Sequence, residues 1–217
     1  MTYSGKGANG DQLQIVTGNA TWQPPTGGGG GVVTVAGAIT ADYATIVAAI
    51  AAGETIFNVI GDTTEPSNIL VGSSGLNITL ANSSTIDMGS NSVVWGSDSS
   101  VDMRGNGGIS FNYSTSDVLF NVSSNLDAKL TVDGLLVTNS STATAGLCNG
   151  KDMTFQACIF VGDAILDGVR NTIVVSDFRS NLLLLSNASG CQVSSCQIDG
   201  IIVDSGVATL LSDISTY

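Results

Sequence analysis

The chain has 217 residues, with 6 basic side chains, 18 acidic ones and no histidine. A net charge of −12 argues against nucleic-acid binding, because nothing here would displace the counterions of a phosphate backbone. The lack of histidine excludes Ser–His–Asp triads, Cys–His pairs and histidine-ligated zinc. Apolar residues make up 43% of the chain and charged ones only 11%. That is enough for a core, but it is neither the composition of a helical bundle nor that of a charged disordered chain. Abundant Gly, Ser, Thr and Asn suit short strands joined by tight turns.

The first ten residues contain no apolar run of the signal-peptide kind, and no stretch reaches the roughly 18 apolar residues of a membrane span. The expectation is a soluble chain made in the cytoplasm, without membrane insertion. Residues 1–31 read as a separate region, an extended N-terminal anchor arm. Leu13-Gln-Ile-Val16 is strand-like, a turn follows at Gly18-Asn19, a second strand runs through Trp22, and Pro24-Pro25 ends it. Gly27 to Gly31 is an unbroken glycine tract with the backbone freedom of a flexible joint. An isolated two-stranded hairpin is marginal in water. Leu13, Ile15, Val16, Trp22, Pro24 and Pro25 are therefore candidate anchoring residues, expected to bury against a partner.

Residues 32–67 read as a capping strand–helix–strand unit. Val32–Val35 is a strand. Asp42 through Ala52 is predicted as a helix, with Tyr43, Ile46, Val47 and Ile50 on one apolar stripe, Asp42 or Thr40 at its start and Gly53 at its stop. Thr55–Ile60 is the following strand.

From about Asn68 to the end at 217 the pattern changes to short alternating strands, such as Leu76–Leu80, Ile109–Tyr113 and Val118–Val122, with no further helix signal. Four segments align, starting at Leu130, Met153, Ile173 and Cys191. Their third positions are Val132, Phe155, Val175 and Val193, and their sixth are Leu135, Cys158, Phe178 and Cys196. Each unit adds a second apolar run, such as Ala164–Leu166, Leu182–Leu185 or Ile201–Val203. A drifting period near 20 residues with two or three strands per unit is what one coil of a parallel β-helix requires. About seven coils at ~4.8 Å would form a stack roughly 30–35 Å tall. Gly and Asn at positive φ would serve the turns. An antiparallel sandwich is the alternative source of short alternating strands, although hairpins give no reason for aligned triplets at a drifting period.

Cys148, Cys158, Cys191 and Cys196 contain no CxxC pair, so small buried apolar residues are expected rather than a four-cysteine metal site. Candidate catalytic carboxylates would have to come from pairs about 5–9 Å apart. Asp133 with Asp177, Asp199 with Asp204, Asp163 with Asp167, and the glutamates Glu54 and Glu65 are the sets to inspect, and solvated outer positions are the plainer account of each. No catalytic residue, cofactor or metal is expected.

The helix-then-strand run Tyr43–Val59, followed by Ile-x-Val coils with Gly/Asn turns, resembles the pectin-lyase-like right-handed β-helix superfamily, to which bacteriophage tailspikes belong. Gly7–Pro25, which reads GANGDQLQIVTGNATWQPP, is similar to a segment of phage tail-fibre and head-fibre proteins, in which a glycine-led QxLxxxxGxxxW unit ends in proline. These resemblances imply an all-β, single-chain right-handed parallel β-helix (solenoid) with a short capping helix and an N-terminal anchor arm. They imply a virion surface location, a homotrimer, and capsid or tail proteins as partners through the arm. Tyr3, Trp95, Tyr113 and Tyr217 are expected to offer weak contact to host glycans. The expected role is a structural spike, whether capsid decoration, head fibre or tail fibre. A compact tailspike depolymerase acting on host surface polysaccharide is the alternative, and a bacterial adhesin a third.

Overall fold

Period-two alternation of apolar and polar residues sends every second side chain to the same side of a strand. Strands that carry it every 20 or so residues can superimpose those side chains only by winding. The computed structural model describes residues 12–16, 19–23, 32–37, 41–122 and 126–216, and within them the chain winds in this way. Apart from one antiparallel hairpin, every strand pair is parallel, in three sheets of nine, eight and seven strands. Successive strands of the chain fall on the first, second and third sheets in turn. Seven complete coils run from Ile56 to Asp204, and an eighth is begun by Leu210–Ser212 and Ser215–Thr216. This is the arrangement of a parallel β-helix, and it removes the antiparallel sandwich.

Three inward columns fill the interior. In the first sheet the register stacks Val33, Phe57, Ile78, Met103, Val132, Phe155, Ile173, Val193 and Leu211. In the second, Ile86, Ile109, Val137, Phe160, Phe178 and Ile198 are superimposed. Phe160 and Phe178 stack there with centroids 4.7 Å apart and planes 14° apart. In the third, Ile69, Val93, Phe120, Cys148, Leu166 and Leu184 align. Successive members of the first column are 29 residues apart between Met103 and Val132 but only 18 between Phe155 and Ile173. Coil length varies through the turns while the strands stay in register.

The register corrects one aligned repeat. Ile173 stacks on Phe155, not on Met153, so the third unit starts at Asn171. The sixth-position column is therefore Leu135, Cys158, Ser176 and Cys196, and Phe178 belongs to the second sheet's column instead. A two-residue slip leaves every side chain on its original face, so alternation alone could not detect it.

The predicted helix is shorter than expected, spanning Ile46–Ala51 with Thr45 as its N-cap. Asp42 is not the cap. Its Oδ2 accepts hydrogen bonds from the Thr34 backbone N–H (2.8 Å) and Thr34 Oγ1 (2.7 Å), which ties it to the edge strand Val33–Val35. The stop is as expected. Gly53 takes φ +92° and donates to Ile50 O, while Glu54 N–H donates to Ala49 O, the paired bonds of a Schellman ending. Ile46 and Ala49 are fully buried, and the helix packs against the end strands Val33–Val35 and Ile69–Val71 of two sheets. One end of the stack is thereby covered.

Corners between sheets differ from the glycine-based expectation. A left-handed residue ends or follows each first-sheet strand from the third coil on: Gly105, Gly134, Ala157, Val175, Ser195 and Asp213. A second such column holds Asp152, Arg170, Gly190 and Ala208. Most of these are not glycine, although an L-residue there costs about 1–2 kcal/mol. What holds them is a carbonyl of the next coil. Ala157 N–H donates to Val174 O (3.1 Å), Val175 to Ser194 O (3.1 Å) and Ser195 to Ser212 O (3.0 Å). Some glycines serve close approach instead. A Cβ on Gly168 would lie 1.8 Å from Gly150 O.

Candidate functional site

The anchoring candidates divide between described and undescribed residues. Leu13, Ile15 and Val16 lie on the strand Gln12–Val16, and Trp22 lies on Asn19–Gln23. The two strands pair antiparallel, with Leu13 opposite Trp22 and Val16 opposite Asn19, so Asn19 opens the second strand rather than belonging to the turn. Pro24, Pro25 and the Gly27–Gly31 tract lie outside the described residues.

Most of the candidate carboxylates are engaged by neighbouring groups of their own. Asp133 ends a first-sheet strand and Asp177 starts a second-sheet strand, so they belong to different faces. Asp177 is paired with Arg179 at 3.3 Å. Asp163 Oδ1 accepts from Ser180 Oγ (2.7 Å) and Asn181 Nδ2 (2.9 Å), which fastens one turn to the next coil. Asp204 accepts from Gly206 N–H and from the Thr209 hydroxyl, and Asp199 from Gln197 Nε2. Glu65 is almost fully buried. Its two oxygens accept the backbone N–H groups of Ile46 and Val47, each at 3.0 Å, and Thr63 Oγ1 donates to Oε1. Free N–H groups at a helix start carry partial positive charge, so this carboxylate finishes the cap.

Two of the aromatics expected at the surface are in the core. Trp95 is 2% exposed and Tyr113 is fully buried, with Tyr113 Oη donating to Asn91 O at 2.7 Å. Both occupy strand or coil positions that face inward, and their size made them look like binding platforms. Tyr3 and Tyr217 lie outside the described residues.

All four cysteines are buried and free. The Cys158 and Cys196 thiols donate to carbonyls two residues back, at Gln156 (3.2 Å) and Ser194 (3.1 Å). They sit two coils apart in one column with Ser176 between them. Burial pushes the Cys158 thiol up to about 11 and raises the other three as well. Such thiols are uncharged packing groups. Among the described residues, no three of Cys, Asp and Glu gather as metal ligands, and no helix is long and apolar enough to cross a membrane.

One surface feature escaped the sequence reading. Because Asp152 and Arg170 occupy the same left-handed corner one coil apart, their side chains leave the stack one above the other. Arg170 Nε reaches Asp152 Oδ1 at 2.7 Å and its Nη2 reaches Oδ2 at 2.5 Å. The Arg170 hydrogen bond holds the Asp152 carboxyl below the usual carboxylate range. Beside them Lys151 pairs with Asp127 at 3.3 Å. The groove here has a volume of about 280 Å³. Val122, Leu126 and Val169 line it with apolar surface, and Asn149, Lys151, Asp167 and Arg170 with polar groups. Apolar surface beside a few polar groups is the general character of a small-molecule site. The signal was the 18-residue spacing of Asp152 and Arg170, and the two-residue slip in the third repeat hid it.

Comparison with known protein families, characterised proteins and solved structures yields no match. The fold defines the class of the chain, a parallel-stranded β-solenoid with three faces.

Proposed function

We propose that this protein is a non-enzymatic structural component of a bacteriophage virion, a trimeric spike with a right-handed β-helical body projecting from the particle. Residues 1–31 attach it to a capsid or tail protein. Its place is capsid decoration or head fibre, or else tail fibre, and the groove around Lys151 and Arg170 makes weak contact with host glycans.

The observation that carries this reading is the continuous interior column from Val33 to Leu211. It makes a rod of the body, and several of the carboxylates described above serve turns, the helix cap and neighbouring cations. Right-handed winding follows from the strong preference of parallel crossover connections for that hand. The glycine-led segment before the rod supports an attachment role for the arm.

The test is gold-labelled antibody against the purified chain, applied to intact particles from the source culture. Regular labelling of the particle surface is expected, and particles free of label would overturn the virion assignment. Incubating the full chain with host capsule or lipopolysaccharide tests the non-enzymatic part. Release of oligosaccharide would replace the spike by the depolymerase.

A further inference from the structure

Asn–Gly occurs three times in the chain, at Asn9–Gly10, Asn106–Gly107 and Asn149–Gly150. Such a pair is chemically labile, because glycine has no side chain to keep its backbone nitrogen away from the asparagine carboxamide. Asn9–Gly10 lies outside the described residues, and the fold treats the other two differently. Asn149 is held at both ends of its carboxamide. Its Oδ1 accepts the Val122 N–H at 2.7 Å, and its Nδ2 donates to Asn121 Oδ1 at 3.0 Å. Asn106 lies at the corner between the first-sheet strand Ser100–Gly105 and the second-sheet strand Gly108–Phe111. It is exposed, and among the described residues its carboxamide has no hydrogen-bond partner. Gly107 N–H donates to no acceptor among them either. The glycine itself is required by packing, since a Cβ at this position would lie 2.6 Å from Ser84 O and 2.7 Å from Leu80 Cβ in the preceding coil.

We infer that Asn106 is a site of spontaneous deamidation, and that the fold withholds the same reaction from Asn149. The Gly107 nitrogen gives up its proton to water and attacks Asn106 Cγ. The Cγ–Nδ2 bond breaks, the nitrogen takes a proton from water and leaves as ammonia, and a succinimide ring is closed. Water then opens the ring. Attack at Cγ restores the main chain and leaves aspartate. Attack at the main-chain carbonyl carbon leaves isoaspartate, whose backbone runs through Cβ. Either product exchanges one amide for one carboxylate and makes a chain of net charge −12 more negative. Isoaspartate also lengthens the corner by a methylene, between two strands that are each held in register by coils on both sides. Asn149 has to release two hydrogen bonds before its Cγ can meet the Gly150 nitrogen, which slows it by about tenfold or more relative to Asn106.

The test incubates the full chain at mildly alkaline pH, which favours the deprotonated glycine nitrogen, both folded and unfolded in guanidinium chloride. Samples are digested in acid and mapped by tandem mass spectrometry. Each conversion appears as the mass gain of an amide turned into an acid, with isoaspartate as a separately eluting isomer. In the folded chain the gain is expected at Asn106 about tenfold or more faster than at Asn149. In the unfolded chain, where the clamp on Asn149 is gone, the two sites should convert at similar rates. Asn121→Ala removes the acceptor of Asn149 Nδ2 and should speed conversion at Asn149 while leaving Asn106 unchanged. Equal rates at the two sites of the folded chain overturn the inference. So does an Asn106 that stays intact in the folded chain while it converts in the unfolded one. An Asn149 rate unmoved by Asn121→Ala overturns the protection assigned to its hydrogen bonds.

Discussion

Asn171 replaces an apolar residue at the first position of the repeat, where Leu130, Met153 and Cys191 stand in the other units, and it is fully buried. A reading of the repeat pattern would call it a defect and expect an apolar replacement to improve packing. The geometry predicts the opposite. Asn171 Oδ1 accepts the Met153 backbone N–H at 3.0 Å, and its Nδ2 donates to Gly150 O at 3.1 Å. The same Nδ2 lies 3.6 Å from Cys148 Sγ. Asn171→Ala leaves one main-chain donor and one acceptor without partners in the core. At about 1–3 kcal/mol for each, the loss is about 2–6 kcal/mol. For a domain of this size 1 kcal/mol moves the melting temperature by roughly 2–4 °C, so a drop of about 4–24 °C is expected. Thermal unfolding by calorimetry, with urea unfolding as a second probe, measures it. An alanine variant within about 1 kcal/mol of the wild type would refute the idea that this side chain brackets two coils.

Three further outcomes follow from the fold. Glu65→Ala removes the acceptor of the Ile46 and Val47 N–H groups and should cost about 1–3 kcal/mol, with faster amide exchange at those two residues. Unchanged exchange there would show that the carboxylate is not the cap. Val175 holds φ 51° as a β-branched residue while 64% exposed, and Val175→Asn should raise stability by roughly 1 kcal/mol because Asn tolerates this region. A lower melting temperature would mean that the valine's remaining contacts outweigh the backbone cost. Buried thiols give an alkaline dependence. Their folded pKa values lie above the unfolded value of about 8.5, and that of Cys158 is about 11. Their contribution is full below about pH 8.5 and is lost as pH rises toward the folded values, because the unfolded chain releases those protons first. The melting temperature should fall between pH 8 and 10.5, and replacing all four cysteines with alanine should flatten that fall. An equally steep decline in that variant would assign the effect to other groups.

Much of this fold is legible in the residue order. Winding is forced when aligned apolar triplets recur at 18 to 23 residues, because no hairpin relates segments at a drifting spacing. The helix stop at Gly53 and the burial of the cysteines were readable for similar local reasons, namely a left-handed stop after an apolar stripe and small side chains at inward positions. Other features depend on which coil lies above which. Asn171 and Ile173 share a strand face, so only the inter-coil hydrogen bonds fix which of them sits on Met153. Asp42 looked like a helix cap because capping is local, but Thr34 on the neighbouring strand competes for it and wins. Trp95 and Tyr113 carry polar tips that sequence cannot distinguish from binding platforms, and the interior had room for both. The Asp152–Arg170 pair arises from residues a whole coil apart. Local patterning specifies a strand and its faces. Which strands become neighbours is set by turn lengths, and these have no period to read.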